Sequence, residues 1–83
     1  MIPKKIIRKK VLEALKMASG YGKAESMVRE LVTELTGEDP GLQDLRDVMD
    51  GLHCEAAIRS EKDEDNIVLW YITAKGTAKL NTL

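Results

Sequence analysis

The stretch IVLWYITAKG, residues 67–76, decides the fold. Its first six residues are β-branched, aromatic or leucine, which is the strongest strand pattern in the chain. Thr73 follows this strand as a predicted N-cap, because its hydroxyl can accept a hydrogen bond from the first turn of a helix. The pattern therefore predicts a strand that leads directly into a short final helix, from residue 74 to about residue 81, with Leu80 turned inward.

A hairpin partner for this strand lies just before it. Residues 56–60 are weakly strand-like, and the polar residues 61–66 favour a turn, so the two strands should pair antiparallel. Side chains alternate along a strand, which places Val68, Trp70 and Ile72 on one face. We predict that this face packs on a helical core and that Trp70 is largely buried there.

The opposite face of the same strand is apolar as well. It carries Ile67, Leu69 and Tyr71, which offer apolar surface to other protein atoms. Two interpretations remain open: these residues are self-association candidates, or the N- or C-terminal segment folds over them within one chain.

Three amphipathic helices are predicted before the hairpin, because apolar residues recur at the three- and four-residue spacing of one buried face. Gly20 and Gly37 should end the first two helices, while Asp39 can cap the third and Pro40 can occupy its first turn. The first helix is predicted over residues 4–18, with Ile7, Val11, Ala14, Leu15 and Ala18 in the core. The second is predicted over about residues 23–36, with Met27, Val28, Leu31, Val32 and Leu35 in the core. The third is predicted over roughly residues 40–53, with Leu42, Leu45, Val48, Met49 and Leu52 in the core.

Length and composition limit what the chain can be. With 83 residues, 43% of them hydrophobic and 33% charged, the chain is predicted to form a single domain over residues 1–83. It has no apolar run of the roughly 18 residues that a membrane-spanning helix needs. It also starts without a recognisable signal peptide, so we expect no membrane contact and a cytoplasmic location.

No arrangement of residues in the sequence indicates catalysis, a metal or a cofactor. His53 and Cys54 are adjacent, but two ligands without further Cys or His cannot complete a tetrahedral metal site. Gly20 and Gly22 lack the third glycine and the preceding strand of a phosphate-binding loop. We therefore expect a binding protein that is not an enzyme and that uses no cofactor.

The formal net charge of −1 conceals a strong separation of charge along the chain. Residues 1–29 hold eight basic and two acidic side chains, whereas residues 30–66 hold three basic and twelve acidic ones. Charges farther apart than a Debye length of about 10 Å act almost independently. The two parts should therefore behave as a cationic and an anionic surface.

A set of spaced residues carries a resemblance to a known family. The set consists of Gly20, Tyr21, Glu25, Ser26, Leu31, Leu35, Leu45, Leu52 and the ending from Trp70 to Gly76. Three helices followed by a hairpin, in this order, are typical of winged-helix proteins. On this set, which spans about residues 7–80, the chain resembles small winged-helix proteins of Mu-like phages and prophages.

The resemblance implies a fold and a phage-like genomic setting. The implied fold is α+β, with a three-helix core followed by a two-stranded β-hairpin wing and a short C-terminal helix. In such proteins helix 3 is the recognition helix that enters the DNA major groove. The chain departs from the common winged-helix pattern at Ala56, where a glycine usually separates helix 3 from the first wing strand, and at the wing tip, where Lys62 is the only basic residue among four carboxylates.

The first functional hypothesis is a DNA-binding transcription regulator that acts by non-catalytic binding to double-stranded DNA. Basic side chains of the first helix suit phosphates, while Gln43 can contact adenine and Arg46 can contact guanine. A homodimer would place two basic helices on one duplex. The candidate contacts are Lys5, Arg8, Lys9, Lys10, Lys16, Gln43, Arg46 and Lys62.

The alternative hypothesis is a protein–protein interaction module on the same fold that does not bind DNA. The predicted recognition helix and the wing tip are acidic, and such a surface repels phosphates but suits a basic protein partner. The pI near 5.8, against values above about 9 for typical DNA-binding domains, favours this alternative. The acidic residues are Asp44, Asp47, Asp50, Asp63, Glu64 and Asp65.

Overall fold

The computed structural model describes residues 2–18 and 21–83 and contains three helices, a hairpin and a closing helix. This α+β order is the predicted one. Gly20, the predicted end of the first helix, lies outside the described residues. In chain order the elements are α1 (Lys4–Met17), α2 (Glu25–Thr36), α3 (Leu42–Cys54), β1 (Ile58–Lys62), β2 (Val68–Ile72) and α4 (Ala74–Leu80).

The core forms around α1, which packs against the other three helices and β2. At 100° per residue, the buried side chains of α1 cover about 160° of its circumference, a wider arc than one neighbour would bury. Leu12 extends the predicted face because α4 packs along that side and Leu80 reaches the core, as expected. The fully or nearly fully buried side chains of α1 are Ile7, Val11, Leu12, Ala14 and Leu15.

Three predicted core positions are wrong, because they lie at the margin of the core. Met27, Leu35 and Leu42 are 41%, 37% and 38% exposed. Leu35 lies in the last turn of α2 and Leu42 is the first residue of α3, so both flank the turn between the helices. Met27 lies about 100° around α2 from the buried Val28, beyond the reach of its neighbours.

The start of α3 differs from the predicted one. Pro40 is buried but precedes the helix, which begins two residues later at Leu42. Gly41 is the N-cap residue, and its φ of 85° is open to glycine at little cost. Asp39 accepts a hydrogen bond from the backbone N–H of Gly41 at 3.0 Å, so it closes the turn before the helix instead of capping α3 itself.

The hairpin pairs antiparallel, from Ile58 opposite Ile72 to Lys62 opposite Val68. The first strand begins two residues later than predicted, because the chain leaves α3 through a left-handed residue, Ala56, with φ of 61°. A glycine would adopt this conformation without the cost of about 1 kcal/mol that alanine carries.

The segment between α1 and α2 packs against β2 and covers part of its outer face. Lys23 and Trp70 exchange two backbone hydrogen bonds, at 3.0 and 2.8 Å. A Cβ atom on Gly22 would lie only 2.6 Å from the ring of Tyr71 and 2.7 Å from Leu69, so glycine permits the close approach. Leu69 and Tyr71 are therefore half-buried within one chain.

Trp70 is half-buried, not largely buried as predicted. Its indole packs against the helical core and meets the ring of His53 edge to face, with ring centroids 5.6 Å apart. Val68 on the same face is 37% exposed, because the hairpin extends beyond the core at that point. Only Trp70 and Ile72 of this face contact the core.

The junction of hairpin and α4 confirms the predicted cap. The hydroxyl oxygen of Thr73 accepts a hydrogen bond from the backbone N–H of Gly76 at 3.0 Å. The N–H and hydroxyl of Thr73 both donate to the carbonyl oxygen of Ala57, at 3.1 and 3.0 Å. A Cβ atom on Gly76 would lie 2.1 Å from that oxygen, so no larger residue fits without backbone movement.

The variant Gly76→Ala should lower the free energy of unfolding by about 3 kcal/mol, because the added methyl group collides with backbone that cannot rotate away. Gly51→Ala is the matched control, since Gly51 is exposed in α3 and its added Cβ would meet nothing within 4 Å. The control should instead raise stability by about 1 kcal/mol through helix propensity. Urea unfolding followed by circular dichroism measures both, and equal effects would contradict the close approach.

Candidate nucleic-acid interface

The helix–turn–helix formed by α2 and α3 is held by one bidentate ion pair. Arg29 of α2 donates from Nε and Nη2 to the two carboxylate oxygens of Asp39, at 2.9 and 2.8 Å. These hydrogen bonds, with that from the Gly41 N–H, lower the pKa of Asp39 to about 2. The same carboxylate raises the pKa of Arg29, so both groups remain charged across the physiological range.

The exposed face of α3 carries the residues expected to contact bases, but Gln43 is already engaged. Its amide donates to a carboxylate oxygen of Asp47 at 2.9 Å. Lys4 at the start of α1 donates to the other oxygen of Asp47 at 3.3 Å. These two bonds, the one from Gln43 being the stronger influence, lower the pKa of Asp47.

Arg46, the second candidate for base contact, is also engaged. Its Nε lies 3.3 Å from Oε1 of Glu25 on α2. Asp44 and Asp50 make no ion pair with any residue that the structure describes. The exposed face of α3 is therefore acidic, and the two side chains predicted to contact bases are bound within the protein.

The hairpin tip is acidic in the structure as well. The carboxylate of Asp63 accepts hydrogen bonds from the N–H groups of Asp65 and Ile67, at 2.8 and 2.9 Å, and so fixes the turn. Glu64 and Asp65 are exposed beside the exposed Lys62. Farther down, the guanidinium of Arg59 pairs with Glu61 and lies 4.3 Å from the centroid of the Tyr71 ring.

The basic residues of α1 gather on one side of that helix. Lys5, Lys9 and Lys16 fall within about 40° of one another around the helix, with Arg8 at the flank. Lys10 is half-buried and pairs with Glu13 at 3.1 Å, so it is separated from this group. The structure thus brings four of the eight predicted contacts together and leaves Gln43, Arg46 and Lys62 elsewhere.

Two further cations, which sequence reasoning missed, join this group from α4. Lys79 Nζ lies 2.9 Å from a carboxylate oxygen of Glu55, the residue that follows α3. The pKa of Glu55 is lowered mainly by this bond and also by the charges of Arg8 and Lys75. Lys75 and Lys79 line one cleft with Glu55, and the sequence signal for these two lysines was their spacing across one helical turn.

These residues define what we call the α1–α4 basic face. Its members are Lys5, Arg8, Lys9, Lys16, Lys75 and Lys79.

Other site chemistry is sparse in the described part of the chain. Within residues 2–18 and 21–83, no group of three or more His, Cys, Asp or Glu side chains is arranged to hold a metal ion. His53 meets the ring of Trp70 edge to face, and Cys54 is an exposed thiol. Over the same residues, no helix is long and apolar enough to cross a membrane.

Two solved structures share this fold. A transcriptional regulator of the MarR family from Silicibacter pomeroyi superposes with a TM-score of 0.76 and 18% identity, over 93% of this chain and 47% of its own. A winged-helix DNA-binding protein from STIV superposes with a TM-score of 0.76 and 19% identity, over 89% of this chain and 78% of its own. The chain thus spans about half the length of the first of these proteins.

The likeness to these structures shows the fold, which is a winged helix, and confirms the predicted fold class. No sequence profile of a known family matches the chain, and no curated protein sequence matches it. In this fold α3 occupies the position of the recognition helix and the β1–β2 hairpin is the wing.

The ion pair between Arg29 and Asp39 makes stability depend on acid pH. The pKa of Asp39 is about 2 in the folded protein against an ordinary 3.8. Because the folded-state pKa is depressed, the stabilisation is complete above about pH 4 and is lost as the pH falls through about 2. The difference in the free energy of unfolding between the natural protein and the variant Asp39→Asn should therefore shrink as the pH falls from about 4 through about 2.

Thermal unfolding at a series of pH values measures this difference. Arg29→Gln should show the same shrinkage over the same range, because it removes the donors that lower the pKa of Asp39. A difference that stays constant from about pH 5 to about pH 2 would contradict the assignment.

Proposed function

We propose that this protein binds double-stranded DNA without catalysis, as a regulatory protein, and that it contacts phosphates through the α1–α4 basic face. The observation that supports the proposal is the lysine stripe of α1 together with Lys75 and Lys79 of α4, which line one cleft with Glu55. Duplex DNA carries one negative charge per about 1.7 Å of its axis, and side chains spread over two helices can neutralise several of them.

The acidic α3 face argues against the usual docking geometry. Freeing Arg46 from Glu25 is cheap, because an exposed ion pair contributes only about 0–1 kcal/mol. The carboxylates of Asp44, Asp47 and Asp50 would nevertheless enter the groove beside Arg46 and face the phosphates on both of its edges. Binding through the basic face avoids this repulsion and keeps the α3 ion pairs intact.

The kind of protein is supported by the fold neighbours. One is described as a transcriptional regulator and the other as a winged-helix DNA-binding protein. The resemblance to winged-helix proteins of Mu-like phages and prophages supports a role in phage or prophage gene regulation. We propose that the protein acts in the cytoplasm and that residues 1–83 form one domain. Phosphate contacts alone carry no sequence information, so we propose binding of low sequence specificity.

Two double variants with the same change in charge test the proposal. Arg8→Gln with Lys75→Gln removes two cations from the basic face, and Arg46→Gln with Lys62→Gln removes two from α3 and the wing. The first double variant should weaken binding to every duplex. It should also make the plot of log association constant against log salt concentration less steep by about 2, because each phosphate contact contributes about 0.9 to the magnitude of that slope. The second should leave affinity and slope nearly unchanged.

Fluorescence anisotropy with labelled duplexes of two unrelated sequences measures these quantities. Absence of binding by the natural protein at low ionic strength would overturn the proposal. Loss of binding confined to the Arg46 and Lys62 variant would show instead that the protein docks through α3 and the wing.

The protein-interaction alternative is favoured by one observation. A shallow cleft of about 410 Å³ lies between the start of α2 and the wing, lined in part by Ile67, Val68, Trp70 and the acidic Glu25. Apolar side chains beside carboxylates suit a basic partner with an apolar anchor. On this alternative the natural protein would not bind any duplex in the anisotropy experiment, even at low salt.

A further inference from the structure

An apolar groove with a basic rim lies between α1 and α4. It has a volume of about 640 Å³, and Met17 and Leu83 on its floor are 69% and 43% exposed. Large apolar side chains with this much solvent exposure favour contact with the surface of another molecule. The lining residues are Lys9, Glu13, Lys16, Met17, Leu80 and Leu83.

The charge of the groove is positive once its internal ion pair is counted. Glu13 is neutralised by Lys10 at 3.1 Å. Lys9 and Lys16 make no ion pair with any residue in 2–18 or 21–83. The groove therefore fits a segment that presents carboxylates next to an apolar side chain.

The end of the wing is such a segment. Glu64 and Asp65 are exposed and make no ion pair within the described chain, while Ile67 and Val68, two or three residues farther on, are 48% and 37% exposed. The turn that presents them is held by the two hydrogen bonds to Asp63, so docking would cost little conformational entropy.

We propose that the wing end of one copy of the chain docks in the α1–α4 groove of a second copy. The two surfaces differ, so the contact is head-to-tail and propagates into short chains or closed rings. The small contact area makes the association weak and concentration-dependent. It occurs without DNA, so its test is independent of the proposed DNA binding.

A charge swap tests this contact. Lys9→Glu with Lys16→Glu reverses the groove, and Glu64→Lys with Asp65→Lys reverses the wing end; Asp63 is left intact because it holds the turn. Each half-swap alone should reduce the protein to monomer at low ionic strength, because like charges then meet. One chain that carries both half-swaps should regain self-association, and a mixture of the two half-swapped chains should associate as well.

Sedimentation velocity over a range of protein concentrations measures the association. The control matched to the wing half-swap is Glu30→Lys with Glu34→Lys, which makes the same change in charge as that half-swap on exposed positions of α2 and should self-associate at least as well as the natural protein. Ile67→Gln and Met17→Gln should each weaken association without unfolding the chain, since Ile67 is about half exposed and Met17 is mostly exposed. Circular dichroism checks the fold of every variant.

Three results would overturn the proposal. One is a natural protein that stays monomeric at high concentration and low salt. Another is self-association that survives the wing half-swap, which would indicate a symmetric interface or a different partner surface. The third is a failure of the doubly swapped chain to regain association although it folds.

Discussion

The close approach of Gly76 to the carbonyl oxygen of Ala57 is the constraint on which the rest of the structure depends. That oxygen accepts two hydrogen bonds from Thr73 and lies where any Cβ atom at position 76 would be. The contact ties the end of α3, the hairpin and α4 to one point. Because α4 is held there, Leu80 reaches the core and Lys79 pairs with Glu55 at the end of α3.

The separation of charge along the chain becomes a separation in space. Cations of α1 and α4 gather on one side, while α3 and the wing tip carry carboxylates. The exposed ion pairs contribute little to stability. The ion pair with Glu25 engages Arg46 and the hydrogen bond to Asp47 engages Gln43, and these are the two side chains of α3 that were predicted to contact bases.

Much of this structure was predictable from local patterns, and the errors share one cause. The helices, the hairpin and the Thr73 cap follow from periodicity and capping chemistry, which depend on residues close in sequence. Met27, Leu35 and Leu42 were placed in the core because periodicity defines a face but not where the neighbouring helix ends. The later starts of α3 and β1 follow from the backbone at Gly41 and Ala56, which periodicity does not describe.

By itself the sequence determined the class of fold, the order of its elements and the acidic character of the third helix and the wing. Those properties reside in each segment alone, as apolar spacing, turn residues and charge. Only the tertiary structure decided that Gly22 and Lys23 cover the outer face of the hairpin and that α4 joins α1 in one basic face. Such contacts join residues far apart in the chain, and their existence depends on how the helices pack, which no single segment encodes.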